Sequence, residues 1–277
     1  MKIISCLIAA MAFCFSYSQP QYESVFTEND SIDENNVIYK LNTVFIYDYE
    51  IIKNGERLKL KTNSIRLLDT SSFMGFSDSS FMRSLDASSF GLFFEYVNAD
   101  SGSIGVDKIL LLVKAPSFYD GRTHGNQTQI SFLQIPELSG TSLTGAVENS
   151  ENVWLHPIRD GYFSALQSCP FPYIKQPYIV GSIWADSMLI GYGSSPHTGE
   201  WEGQALLNYL YKIIDKKNVE TKLGDLSCFI VESKAKSNSF ETQLISYFSD
   251  KYGFVRLEYT LINGIKINFW IDKVVKI

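Results

Sequence analysis

The sequence predicts a mainly β fold: a curved antiparallel sheet, or half-open barrel, with a few short helices. Three observations carry this. Apolar and polar residues alternate along most of the chain, which lets a strand bury one face and leave the other wet. Asn-Gly and Asp-Lys-Tyr-Gly steps separate those runs, and such residues tolerate the positive φ of hairpin turns. Helical periodicity surfaces only briefly, in "DGYFSALQS" at 160–168. Short connections between runs make neighbouring strands antiparallel.

The elements follow in chain order. Met1-Lys2 opens with a positive charge, and Ile3–Phe15 is a continuous apolar run. Ser16 and Ser18 place small residues at the −3 and −1 positions of a cut before Gln19, the layout of a secretory signal. The run is shorter than the ~20 residues of a spanning helix. Residues 1–18 are therefore expected to leave an exported chain, in the periplasm or cell envelope or secreted. Phe13 before Cys14 departs from the small residues that precede a lipidated Cys. No segment of the mature chain reads as transmembrane. Residues 19–36, "QPQYESVFTENDSIDENN", are polar and acidic and read as a flexible lead-in. Residues 37–277 are expected to form a single large β-rich domain, with 145–155 as the place where it would divide.

"VIYKLNTVFIYDYEIIKNGERLKLKTNSIRLL" alternates around Asn54-Gly55, a two-strand hairpin signal. The following Ser/Asp/Phe-rich stretch has no clean period and reads as a long loop with a helix or two. Val106–Pro116 reads as a buried strand ended by its proline, and "QTQISFLQIP" as another. "SIWADSMLIGYG" is a strand. "GQALLNYLYKIIDKKNVETKLGDLSCFIVESKAKS" reads as two strands around a Lys-Lys-Asn turn, with a tight "LGD" step inside. Three more strands follow, separated by Asp250–Gly253 and Asn263-Gly264. In "FVRLEYTL" the alternation sets Phe254, Arg256, Glu258 and Thr260 on one face. Val255, Leu257, Tyr259 and Leu261 form the other, fully apolar face.

"VETKLGDLSCFIVESKAKS" and "YFSDKYGFVRLEYTLINGIKINFWI" carry a Thr-x-x-Gly-x-Leu-x-Cys strand and a Tyr-Phe-Ser-x-x-Tyr-Gly-x-Val hairpin. These closing strands, roughly 175–277, resemble uncharacterised exported proteins of Gram-negative bacteria. The sheet is similar to the half-open β-barrel of the lipoprotein-carrier (LolA/LolB) type. The resemblance implies a fold, and it implies no functional residue.

Charge excludes one class of partner. The chain carries 24 basic and 30 acidic residues, and nucleic-acid binding needs clustered Lys and Arg. Two of the four cysteines fall within residues 1–18. Cys169 and Cys228 remain, as a disulfide in an oxidising compartment or as two buried thiols. No Gly-x-Ser-x-Gly elbow, phosphate-binding loop or metal-ligand template is present, so no catalytic residue, metal or cofactor is assigned. "WLHPIRDGYF" groups His156, Arg159 and Asp160. A general base oriented by a carboxylate would use those residue types, which leaves a hydrolase as one reading. Pro157 and Asp160-Gly161 also spell a turn, and the turn is the better reading. His197 with Glu200 and Glu202 sits in a Gly/Ser/Pro loop without ligand spacing, and His124 has no acidic neighbour.

Aromatic residues make up 14% of the chain. They suit a sheet whose concave side holds a lipid or other apolar ligand, or a rim that stacks on sugars, or simply a β core. Trp154, His156, Arg159, Tyr173, Trp184 and Trp201 are the candidate ligand-binding residues. The leading expectation is an exported, non-enzymatic cell-envelope protein with an apolar ligand inside a half-barrel. A carbohydrate-binding or adhesive β module is the alternative, for which a flat strip of Trp184, Tyr192 and Trp201 would speak.

Overall fold

The computed structural model describes residues 36–58, 61–62, 104–105, 108–114, 127–135, 142–159, 161–191 and 204–276. The Ser/Asp/Phe-rich stretch, His124, Asp160, Tyr192, His197, Glu200, Trp201 and Glu202 lie outside them. Among the described residues one thirteen-stranded sheet holds nearly everything. It begins with β1 (Thr43–Lys53) and β2 (Glu56–Leu58), the hairpin around Asn54-Gly55. Both turn residues have positive φ, 54° and 82°, as the dipeptide predicts. A two-strand ribbon, β3 (Lys61–Thr62) and β4 (Ile104–Gly105), lies off the main sheet.

β5 (Lys108–Lys114) and β6 (Thr128–Ile135) fall on the two predicted strands. Sequence reading missed β7 (Ser142–Glu148), β8 (Asn152–Leu155) and β9 (Tyr173–Lys175). They are short, and the β7–β8 turn carries no Gly or Pro. It closes instead on Asn149, whose Oδ1 accepts N–H bonds from Glu151 (2.9 Å) and Asn152 (2.7 Å). Among the described residues the one helical segment, Gly161–Ser168, is 3-10 helix, at the place of the brief helical periodicity.

The remaining strands are β10 (Ile183–Ile190), β11 (Ala205–Thr221), β12 (Gly224–Lys236), β13 (Glu241–Ser249), β14 (Gly253–Thr260) and β15 (Lys266–Lys276). The β11–β12 turn corrects the expectation. β11 runs straight through Lys216, Lys217 and Asn218, and the chain reverses at Thr221–Gly224, where Gly224 has φ 94°. Polar residues alone do not end a strand, whereas a positive φ needs a residue such as Gly. A register shift in β13–β14 corrects a second point. Tyr247 pairs with Arg256 but Phe248 with Phe254, so Val255 is an extra residue. The bulge turns Phe254 into the core, fully buried, beside Val255.

The strand order is β10-β11-β12-β13-β14-β15-β1-β5-β6-β7-β8-β9, every pair antiparallel. Such a sheet curls until its two edges meet and forms a nearly closed barrel. Apolar faces turn inward. Tyr49, Leu111, Ile130, Tyr211, Leu244, Tyr259 and Ile267 are all fully buried. Glu148 pins the chain entering β1: its carboxylate accepts backbone N–H bonds from Val37, Ile38 and Tyr39 at 2.6–3.1 Å.

Candidate functional site

The closing seam of the barrel gathers four of the six candidate residues. Trp154 and Tyr173 are opposed across β8–β9, and Trp184 and Tyr211 across β10–β11, so each pair shares the inner face. The Trp184 and Tyr211 rings stack at 5.4 Å, only 3° from parallel. Tyr173, on the opposite edge, meets both edge-on at 5.6 and 5.3 Å. The array continues through Tyr209 to Phe171, then to Trp154 and His156. The sheet edges are thus joined here by rings. Arg159 points away: it is exposed, and its backbone N–H donates to Ser142 Oγ at 3.2 Å.

His156 is a partly buried member of this array. Its ring lies 4.6 Å from Phe171 and 6.0 Å from Trp154. Nδ1 lies 2.7 Å from the Pro157 carbonyl, which can only accept, so Nδ1 carries the proton. Burial lowers its pKa to about 4 against the opposing effect of that bond, and nearby Arg159 lowers it further. At neutral pH the imidazole is therefore uncharged. The two cysteines are equally inert. Both are free and buried, so the bridge between Cys169 and Cys228 is not formed. Burial raises the Cys169 thiol to about 12 and Cys228 to about 11, so neither is a thiolate nucleophile.

Among the described residues the interior is tightly filled. The 3-10 helix drives Phe163 between Tyr49 (5.4 Å) and Phe269 (5.5 Å), while Leu166 fills the space beside it. A cavity of about 20 Å³ remains among Tyr47, Leu111, Phe132, Leu166, Tyr259 and Phe269. That is on the order of one water molecule, not an acyl chain.

A much larger space lies outside, and sequence reading did not find it. The β11–β12 tip and the outer face of β14, β15 and β1 border an open cleft of about 580 Å³. This falls in the range of roughly 300–1,000 Å³ usual for ligand sites. Its floor is set by register. Tyr247, Arg256, Trp270 and Asp48 lie abreast on four strands, and Glu258, Asn268 and Glu50 form the next row. Trp270 is half-buried and lines the cleft. Asn268 donates to Glu50 at 3.0 Å, Arg57 pairs with Glu50 at 3.4 Å, and Arg256 pairs with Glu258 while lying 5.2 Å over the Tyr247 ring. Val219 to Lys222 form the roof.

An ion chain holds that roof down. Lys222 bonds Asp272 at 2.6 Å, Asp272 bonds Lys108 at 2.8 Å, and Lys108 reaches Asp48 at 3.3 Å. Burial alone would raise the Asp272 pKa, but the two ammonium groups hold it below the usual carboxylate range. Burial likewise opposes the Lys108 charge, and the two carboxylates overcome it, raising its pKa. These partners come from three strands and a turn distant in sequence, which is why linear spacing gave no sign of them.

No protein-family model matches the chain, and no curated protein matches it. Three solved structures are similar over much of its length. One, from Bacteroides fragilis and described as exported with a YmcC-like fold, is 7% identical with a TM-score of 0.40, over 86% of this chain and 97% of that one. A protein of Parabacteroides distasonis described as a lipoprotein is 9% identical, TM-score 0.43, over 86% and 96%. The hypothetical lipoprotein YmcC of Escherichia coli is 12% identical, TM-score 0.33, over 60% and 78%.

Proposed function

We propose that the chain is an exported, non-catalytic cell-envelope protein that holds a saccharide in the cleft beneath the β11–β12 hairpin. One observation carries the reading: the half-buried Trp270 ring set among side chains that both donate and accept. A sugar offers an apolar face to an aromatic ring and hydroxyls that are donor and acceptor at once. Asn268, Glu50, Arg57 and Arg256 supply both roles within one row or the next. Paired charges leave the cleft without a dominant sign, which suits a neutral polyol better than an ion.

The apolar ligand also suggested by the sequence fits less well. The apolar cavity that the described residues line, about 20 Å³ beside Leu166, is too small for an acyl chain. Native mass spectrometry of protein taken from its own envelope separates the two, since a co-purifying lipid would move the ligand indoors. A hydrolase centred on His156 finds support only in residue types, because the ring is wedged between Trp154 and Phe171.

The test is titration calorimetry with a panel of soluble oligosaccharides. At least one should bind, and Trp270→Ala should weaken it by about 2 kcal/mol, roughly thirtyfold. Binding that survives Trp270→Ala unchanged, or a panel that yields no heat at all, removes the proposal.

A further inference from the structure

A second surface lies on β10 and the first half of β11, away from the β11 end that roofs the cleft. On the outer face of the β10–β11 hairpin, register brings Leu189 beside Leu206, Ala185 beside Leu210 and Ile183 beside Lys212. Ile183, Leu189, Leu206, Leu210 and Ile214 are 42–61% exposed there. Ile179 and Val180, in the turn leading into β10, extend the patch. Seven of the ten large exposed hydrophobic side chains among the described residues therefore sit on one hairpin and its lead-in. Scattered apolar residues on a surface mean little, but a contiguous set marks something that covers it.

Charge indicates what covers it. The next strand places Lys234 beside Leu210 and Lys236 beside Asn208, and Lys212 lies within the patch, all exposed. On a chain of net charge −6 this is a local excess of ammonium groups, offset nearby by Glu232 and Glu241. Aliphatic side chains bordered by flexible lysines match the boundary of an anionic bilayer, where the apolar groups enter and the lysines reach the headgroups. A second copy is a poorer fit, because a two-fold contact of this patch on itself would bring two lysine borders together. The geometry points to the outer face of the β10–β11 hairpin as a docking face for an anionic lipid surface. The patch lies on the first half of β11 and the cleft roof at its far end, Val219 to Lys222, so the two occupy different stretches of the same hairpin strand.

The test is co-sedimentation of the chain without residues 1–18, so that the apolar leader contributes nothing. Vesicles of phosphatidylglycerol and phosphatidylethanolamine (1:3) are compared with pure phosphatidylcholine. Expected is binding to the anionic vesicles that falls with added salt. It should drop at least roughly tenfold in the double variant Ile183→Asp, Leu210→Asp, and about fivefold in Lys234→Glu. Because these side chains already face water, the variants should keep the parent's melting temperature. Lys266→Glu, outside the patch, should bind as the parent does. Equal sedimentation with both vesicle types, or full binding by the double variant, overturns the proposal. So does a dimer in light scattering that Leu210→Asp dissolves, since a second copy would then own the face.

Discussion

Gly253 illustrates how a single position couples a turn to the core. Its φ of 71° suits the hairpin that "DKYG" announces, and that much is legible. What the sequence hides is its neighbour from the other end of the chain. A Cβ built there would lie 2.8 Å from Ile38 Cγ2 and 3.1 Å from Tyr39 Oη, both fixed by the bonds that Glu148 makes to the backbone of that segment. Gly55 also has positive φ, at 82°, but nothing within 4 Å. Gly253→Ala should therefore cost about 2–4 kcal/mol, conformational strain plus overlap, while Gly55→Ala should cost about 1 kcal/mol of strain alone. Urea denaturation of the two variants measures the difference. Equal losses would mean that Ile38 and Tyr39 yield without penalty.

At the level of elements, the β11–β12 hairpin is where reading and structure part most clearly. Alternation marked both strands, but the turn was sought at Lys216–Asn218 because three polar residues stood together. Those side chains instead hang off a continuous strand, with Lys216 lying 4.4 Å over the Phe229 ring. The hairpin is consequently long enough to overhang the sheet, since β12 pairs with β13 only from Phe229 onward. Its tip is fastened by the Lys222–Asp272–Lys108–Asp48 chain, and this sets a pH dependence. Asp272 is depressed, so its stabilisation is complete above the unfolded value near ~4 and is lost as pH falls through the lower folded value. Lys108 is raised, so its stabilisation is complete below ~10.4 and fades as pH rises through the higher folded value. Melting temperature should thus be insensitive to this network between about pH 5 and 9. Asp272→Asn should lower the plateau and flatten the acid limb, because no carboxylate remains there to protonate. An acid limb identical in parent and variant would show that the tip is fastened by packing of Val219 and Leu226 alone.

Over the whole molecule, period-two patterning and the Asn-Gly, Asp-Gly and Tyr-Gly steps made the β class and the antiparallel neighbours readable. The barrel's closure was not, because it depends on which strands become edges. β9 and β10 adjoin in sequence, yet they meet through Tyr173, Trp184 and Tyr211 while β10 pairs with β11 and β9 with β8. Trp154, His156, Tyr173 and Trp184, read from the sequence as candidate ligand-binding residues, share this seam. The cleft was invisible because Glu50, Arg256 and Trp270 become neighbours only through register. A seam of rings has a mechanical consequence. Ladder hydrogen bonds must break in concert, whereas ring contacts yield one residue at a time, so the barrel should open at β9–β10 before it opens elsewhere. Trp184→Ala removes one ring of the stacked pair at a half-buried site, which should cost about 2–3 kcal/mol. Hydrogen exchange should then accelerate in β9 and β10 while β14 and β15 keep the parent's protection. A uniform acceleration across all strands would mean that the seam unfolds only with the whole sheet, and that the rings close the barrel as firmly as a backbone ladder.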